Sequence, residues 1–191
     1  MKAVTWTQDR SFAGTRPGLV MALGSVLFAV LTAAGAAVAV PLPFSPVPVT
    51  LQTLFVVLSG AMLGPVFGPL SQILYVGAGA SGLPVFAGGT AGAWVLAGPT
   101  GGYLVGFVIA SWLSGLITRP GASWPRLLLG LTAAHAAIFL CGVSHLMLFA
   151  GRSATLALQL GFFPFLPGLA VKTVAAVGAL RSRRVSGWFR T

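Results

Sequence analysis

What this sequence has least of is acid. Its 191 residues include one aspartate, Asp9, and no glutamate, and charged residues of both signs make up only 6% of the chain. A soluble domain averages about 25% charged residues, so the composition excludes an ordinary water-soluble fold. Cysteine is equally scarce. Cys141 stands alone in an apolar run, which rules out an intrachain disulfide and a cysteine-based zinc cluster. His135 and His145 lie ten residues apart with no carboxylate nearby, so no metal site is expected. No G-x-x-x-x-G-K-[ST] occurs, and GPTGG at Gly98 to Gly102 lacks the lysine, so the chain is expected to hydrolyse no nucleotide by that route and to carry no cofactor. Repeats of solenoid period, low-complexity tails and composition breaks are missing too, which leaves one domain over residues 1–191.

Apolar residues are what it has in plenty, at 57%. This is the composition of an all-α integral membrane protein. Leu19 to Val40 runs 22 residues without a charge and predicts the first span. A signal peptide cleaved after Ala37-Val38-Ala39 is the alternative, but the run is longer than the roughly 7–15 residues of a typical signal core. Pro41 to Pro48, PLPFSPVP, predicts an extended connection. Thr50 to Leu63 and Val66 to Ala80 predict two short helices divided by Gly64-Pro65, each about 21 Å long against a core of about 30 Å. One kinked helix is the simpler alternative. A fourth helix spans Leu104 to Thr118, with Gly101 as its earliest start, a fifth Leu127 to Ala150, and a sixth Phe165 to Leu180. Thr155 to Leu160 predicts a turn of helix at the interface. Between the third and fourth helices, the uncharged stretch from Ser81 to Tyr103 is too rich in glycine and proline to span. Irregular backbone at membrane depth must lie against protein or line a wet cavity, so this stretch is a candidate pocket wall.

The basic residues give the orientation. With six spans, Lys2, Arg10, Arg16, Arg119, Arg126 and the four arginines of the tail share one side, and only Arg152 lies on the other. The positive-inside rule then puts both termini in the cytoplasm, with residues 1–17 as a cytoplasmic segment, 19–180 as the six-helix bundle and 181–191 as a basic tail. A net charge of +10 laid out this way is a topology signal in a bilayer, and no nucleic-acid partner is expected. The cytoplasmic membrane is the expected location. Three connections face outward together: Pro41 to Val49, Ser81 to Gly101, and Gly151 to Pro164.

Lys172 is the remaining charge, and it sits inside the sixth span. Holding an ammonium there costs about 2.5–3.5 kcal/mol, and the chain supplies no acid to meet it, because Asp9 is cytoplasmic in this layout. A substrate carboxylate is the natural partner. Ser45, Thr50, Gln52, Thr90, Thr100 and Tyr103 gather toward the same outer face, where the Gln52 amide suits a neutral polar ring such as a cyclic urea. Phe44, Phe86 and Trp94 could wall the middle of a pocket; Gln72 and Tyr75 are weaker candidates. Ala29, Ala33 and Ala37 form a small-residue stripe on the first helix, suited to close approach by another helix. Two other readings stand beside a ligand carrier. Gly79-Ala80-Ser81-Gly82 matches the short G-x-S-G of intramembrane serine proteases, with His135 or His145 as base, although Pro84 interrupts the helix such a serine would head. A structural membrane subunit with no ligand is the other.

Taken together, PFSPVPVTLQTLFVVLSGAMLGP (Pro43 to Pro65), LYVGAGASGLPVFAGG (Leu74 to Gly89), GPTGGYLVGF (Gly98 to Phe107) and PFLPG followed by Lys172 resemble the BioY family, the biotin-specific S components of energy-coupling factor (ECF) transporters. The resemblance covers nearly the whole chain in order. It implies the six-helix S-component fold, with biotin bound near the outer face beneath the connection joining the first two helices and the connection joining the third and fourth. Lys172 would pair with the carboxylate, while Gln52, Thr50, Thr100, Tyr103 and the loop at Phe86, Gly88 and Gly89 would meet the rest of the ligand. It also implies a membrane scaffold subunit and two ABC-type ATPases, with Ala29, Ala33 and Ala37 docking to the scaffold, or self-association if the chain works alone. The family's usual aspartate three residues before the lysine is Leu169 here.

Overall fold

The computed structural model describes residues 17–118, 122–151 and 153–182. Lys2, Asp9, Arg10, Arg16, Arg119, Arg152, Arg183, Arg184 and Arg190, on which the orientation largely rests, lie outside the described residues.

Helix α1, Pro17–Ala37, ends three residues before the apolar run does, because the chain turns into a two-stranded ribbon. Strand β1, Ala39–Leu42, pairs antiparallel with β2, Ser45–Thr50, through an irregularity between Val40 and Leu42. The prolines set the backbone extended, as the sequence predicts, but the hairpin pairing is new. A ribbon of two strands has an unpaired side on each, where a residue without an N–H is tolerated.

Helix α2, Gln52–Ala80, contains Pro65 and Pro69 and breaks at Gly64, whose φ of 80° and ψ of −176° are non-helical. The break is a reversal. Gln52 hydrogen-bonds Tyr75, Ser59 hydrogen-bonds Gln72, and a Cβ on Gly68 would lie 2.7 Å from the Gly60 Cα, so residue numbers rise on one arm as they fall on the other. Two antiparallel arms of roughly 20 Å each therefore cross where one long helix would have crossed once. Only glycine takes this φ freely, and Pro65 then suits the first position of the second arm.

The remaining elements are α3 (Trp94–Ala97), α4 (Gly101–Ile117), α5 (Trp124–Ala150), α6 (Ala154–Gly161) and α7 (Leu166–Arg181). Short 3-10 turns occupy Ala87–Gly89 and Phe163–Phe165. Helix α6 covers the predicted turn at Thr155 to Leu160, begun by Ser153, whose hydroxyl accepts from the Leu156 N–H at 3.4 Å. Counting α2 twice gives six crossings: α1, the two arms of α2, α4, α5 and α7. The chain is thus a six-helix membrane bundle whose ends return to one side.

A seam of small polar side chains joins α1, α2 and α4 inside the bundle. Thr32 and Gln72 meet at 3.4 Å, Gln72 donates to Ser59 at 3.2 Å, and Ser59 meets Ser111 at 2.8 Å. Lipid tails give helices no hydrophobic reason to associate, so close packing and such hydrogen bonds hold them together. Gln72 therefore belongs to the core and does not line the cavity described below. The small-residue stripe on α1 is only partly outward. Ala29 and Ala33 pack against the core while Ala37 is exposed, because residues four apart drift about 40° per step around a helix. Leu23, Val26, Leu27 and Val30, each more than half exposed, form the outward face instead.

Candidate functional site

The three connections expected to face outward meet at one end of the bundle. Ser45, at the start of β2, donates to the Leu160 carbonyl of α6 at 2.6 Å. His145 on α5 meets the Gly98 carbonyl at 2.9 Å and holds the long loop from the other side. Tyr75 donates to the Val85 carbonyl at 3.1 Å, and its ring meets Phe86 edge-on at 5.6 Å. These ties explain how a stretch so rich in glycine is held in place. Beneath it lies a cavity of about 240 Å³. That is slightly under the roughly 300–1,000 Å³ usual for small-molecule sites, and most of its lining is apolar, as such sites usually are.

Lys172 enters the cavity from α7 and is half-buried. Its Nζ donates to Thr53 Oγ1 at 3.0 Å, joining α7 to the first arm of α2. A hydroxyl orients an ammonium without neutralising it, and among the described residues there is no acid to do so. Leu169, one turn before Lys172, lines the same cavity as an apolar wall.

Gln52 lines the cavity and is buried, but its amide is largely engaged. Oε1 accepts from the Thr50 hydroxyl at 2.9 Å and Nε2 donates to Tyr75 at 2.6 Å, leaving one amide N–H for a ligand. Thr50, Phe86, Thr90, Trp94 and Thr100 line it as well. Tyr103 offers the face of its ring, since its hydroxyl donates to the Gly161 carbonyl at 2.8 Å.

Phe44, Gly88 and Gly89 are not among the lining residues. Phe44 sits at the hairpin turn and is 58% exposed, because the pairing of β1 with β2 carries it past the mouth. Gly88 and Gly89, both exposed with φ of 71°, bend the chain so that Phe86 and Ala87 face inward in their place. Ser45 braces the wall from outside. Sequence reasoning passed over Thr53, Phe107, Ile138, Phe139 and Phe165, which line the cavity, and His135, which it considered only as a metal ligand or a protease base. An ionisable residue inside an apolar span was the available signal for His135.

The protease constellation is not formed. Ser81 is exposed and its hydroxyl donates to the Gly77 carbonyl at 2.8 Å. His135 turns Nδ1 to the Leu131 carbonyl and His145 turns Nε2 to Gly98, both at 2.9 Å, so neither histidine addresses the serine through those nitrogens.

Comparison with known proteins agrees with this architecture. Residues 11–187 match the sequence profile of the BioY family. The biotin transporter BioY of Thermotoga maritima is 40% identical over 160 residues, covering 83% of this chain and 93% of that protein. A probable biotin transporter BioY of Pyrococcus horikoshii is 42% identical over 151 residues, 79% of this chain and 88% of that one. Among solved structures, the crystal structure at 2.1 Å of the S-component for biotin from an ECF-type ABC transporter superposes with a TM-score of 0.79 at 25% identity, covering 93% of this chain and 100% of that chain.

Proposed function

The chain belongs to the BioY family, and from that premise we infer that it takes up biotin across the membrane as the substrate-binding S component of an ECF-type transporter, without being an enzyme. The ligand sits in the cavity at the outward end of the bundle. The observation that carries its orientation is Lys172, whose ammonium lines a mostly apolar cavity and, among the described residues, donates to a hydroxyl and meets no acid. Biotin supplies the missing anion through its valerate carboxylate, and a charge pair formed out of water is far stronger than one on a surface. Phe86, Tyr103, Phe107 and Phe139 enclose the apolar thioether ring, and the free N–H of Gln52 faces the ligand's polar atoms.

Movement of biotin to the cytoplasm comes from subunits outside this chain. A membrane scaffold and two ABC-type ATPases supply it, with both termini of the chain in the cytoplasm and the bundle in the cytoplasmic membrane. The exposed apolar face of α1 is where the scaffold packs, with Ala37 the outward member of the small-residue stripe. Binding and ATP hydrolysis are thus divided between chains, and the pocket needs only two conformations of different affinity for biotin.

The test is equilibrium binding of radiolabelled biotin to the purified chain, with biotin methyl ester as competitor. Wild type should favour biotin over the ester. Lys172→Met should lose most of its affinity for biotin yet bind the ester nearly as wild type does. Equal losses for both ligands would refute the carboxylate pairing.

A further inference from the structure

His135 lines the cavity from α5 and is 1% exposed. Its Nδ1 lies 2.9 Å from the Leu131 carbonyl, one turn earlier on the same helix. A carbonyl oxygen can only accept, so Nδ1 carries the hydrogen, and the other nitrogen of the neutral ring presents a bare lone pair. That nitrogen, Nε2, is buried without a hydrogen-bond partner. Among the described residues, the other side-chain atom in this condition, Thr173 Oγ1, belongs to a residue that does not line the cavity. Buried polar atoms nearly always find partners, so one left open on the wall of a binding cavity marks a place for a ligand donor.

No side chain among the described residues donates to it. The ring of Phe139 on α5 lies 6.0 Å from that of Phe165, in the 3-10 turn that leads into α7, and so brings the two helices side by side. One turn before Phe139 on α5 comes His135 and one turn after Phe165 on α7 comes Leu169, both on the cavity wall, and the leucine offers the imidazole nothing to accept from. Lys172 lines the same cavity from α7.

Resting on the reading of this cavity as the biotin site, we propose that His135 Nε2 accepts a hydrogen bond from a ring N–H of the ligand, the ureido edge of biotin, and so selects for a ligand that carries that donor. Lys172 meets the ligand's anion from α7, and His135 meets its N–H from α5. An analogue with the same carboxylate but no hydrogen at that ureido nitrogen leaves the lone pair buried and unpaired. Sites built around a hydrogen bond reject ligands that cannot make it.

The experiment is equilibrium binding of biotin and of its two mono-N-methylated ureido analogues to the full chain and to His135→Phe. Biotin should bind the variant about tenfold or more weakly than wild type. One of the two analogues should show a comparable loss on wild type and no further loss on the variant. Unchanged biotin affinity in His135→Phe, or losses that simply add for both analogues, would overturn the proposal while leaving the biotin site intact. Failure of wild type to bind biotin at all would overturn the parent reading as well. Should the variant not fold, the imidazole ¹⁵N signals of wild type carry the test. Biotin should move the Nε2 signal of His135 upfield from its free lone-pair position, and an unmoved signal overturns the inference.

Discussion

Lys172 Nζ and Thr53 Oγ1, 119 positions apart in the chain, meet at 3.0 Å across the cavity. The contact aims a cation without cancelling it, so the two residues should respond very differently to substitution. Lys172→Met removes the ligand's charge partner and is expected to weaken biotin binding by at least about 2 kcal/mol, roughly 30-fold. Thr53→Val removes only a neutral hydrogen bond, and a change of about 1 kcal/mol is expected. Isothermal titration of both variants gives the ratio, and equal losses would move Thr53 into direct contact with the ligand.

Tyr75 is the post between Gln52 and the long loop, accepting from the Gln52 amide at 2.6 Å and donating to the Val85 carbonyl at 3.1 Å. Tyr75→Phe leaves both of those buried groups short of a partner at little change in shape. A loss of about 1–3 kcal/mol in stability is expected, with a parallel weakening of biotin binding as the loop loosens. Thermal unfolding of the purified variant, with and without biotin, measures both.

Phe44 and Phe86 separate what faces the cavity from what only neighbours it. Phe86 is 3% exposed and packs on Tyr75, so Phe86→Ala should cost about 3–5 kcal/mol and abolish tight binding. Phe44→Ala, at a position 58% exposed, should leave the dissociation constant for biotin unchanged within about twofold. Radioligand titration of both variants makes the comparison.

Helix packing gives the sharpest contrast. A Cβ at Gly60 would lie 1.9 Å from the Ser111 carbonyl oxygen of α4, whereas one at Gly77 would meet nothing within 4 Å. Backbone cannot move aside as a flexible side chain can. Gly60→Ala should lower the melting temperature sharply or abolish folding, and Gly77→Ala should be neutral or slightly stabilising. Fluorescence-monitored unfolding of the two variants decides it.

Much of the fold was legible because membrane insertion is a local sum. Each span, and the break at Gly64-Pro65, follows from a run of apolar residues and the residues that interrupt it. Lys172 was legible for the same reason, since one charge in such a run has no local excuse. The hairpin of β1 and β2 was not, because the prolines dictate an extended backbone but not which residues lie opposite. That same pairing displaced Phe44 from the pocket. His135 stood out in the sequence only as a metal ligand or protease base, because its tautomer depends on Leu131 and its open nitrogen on which groups the fold leaves unpartnered.

By itself the sequence determined that this chain lives in a bilayer, crosses it six times and strands a lysine there, because transfer free energies add residue by residue along the chain. Only the tertiary structure decided that Thr53 aims that lysine, that Tyr75 engages an amide N–H of Gln52 and the Gly161 carbonyl engages the hydroxyl of Tyr103 that a ligand could have met, and that His135 keeps one lone pair unspent. Hydrogen bonds are directional and short in range, so which polar atoms remain free is known only when every other atom has its place.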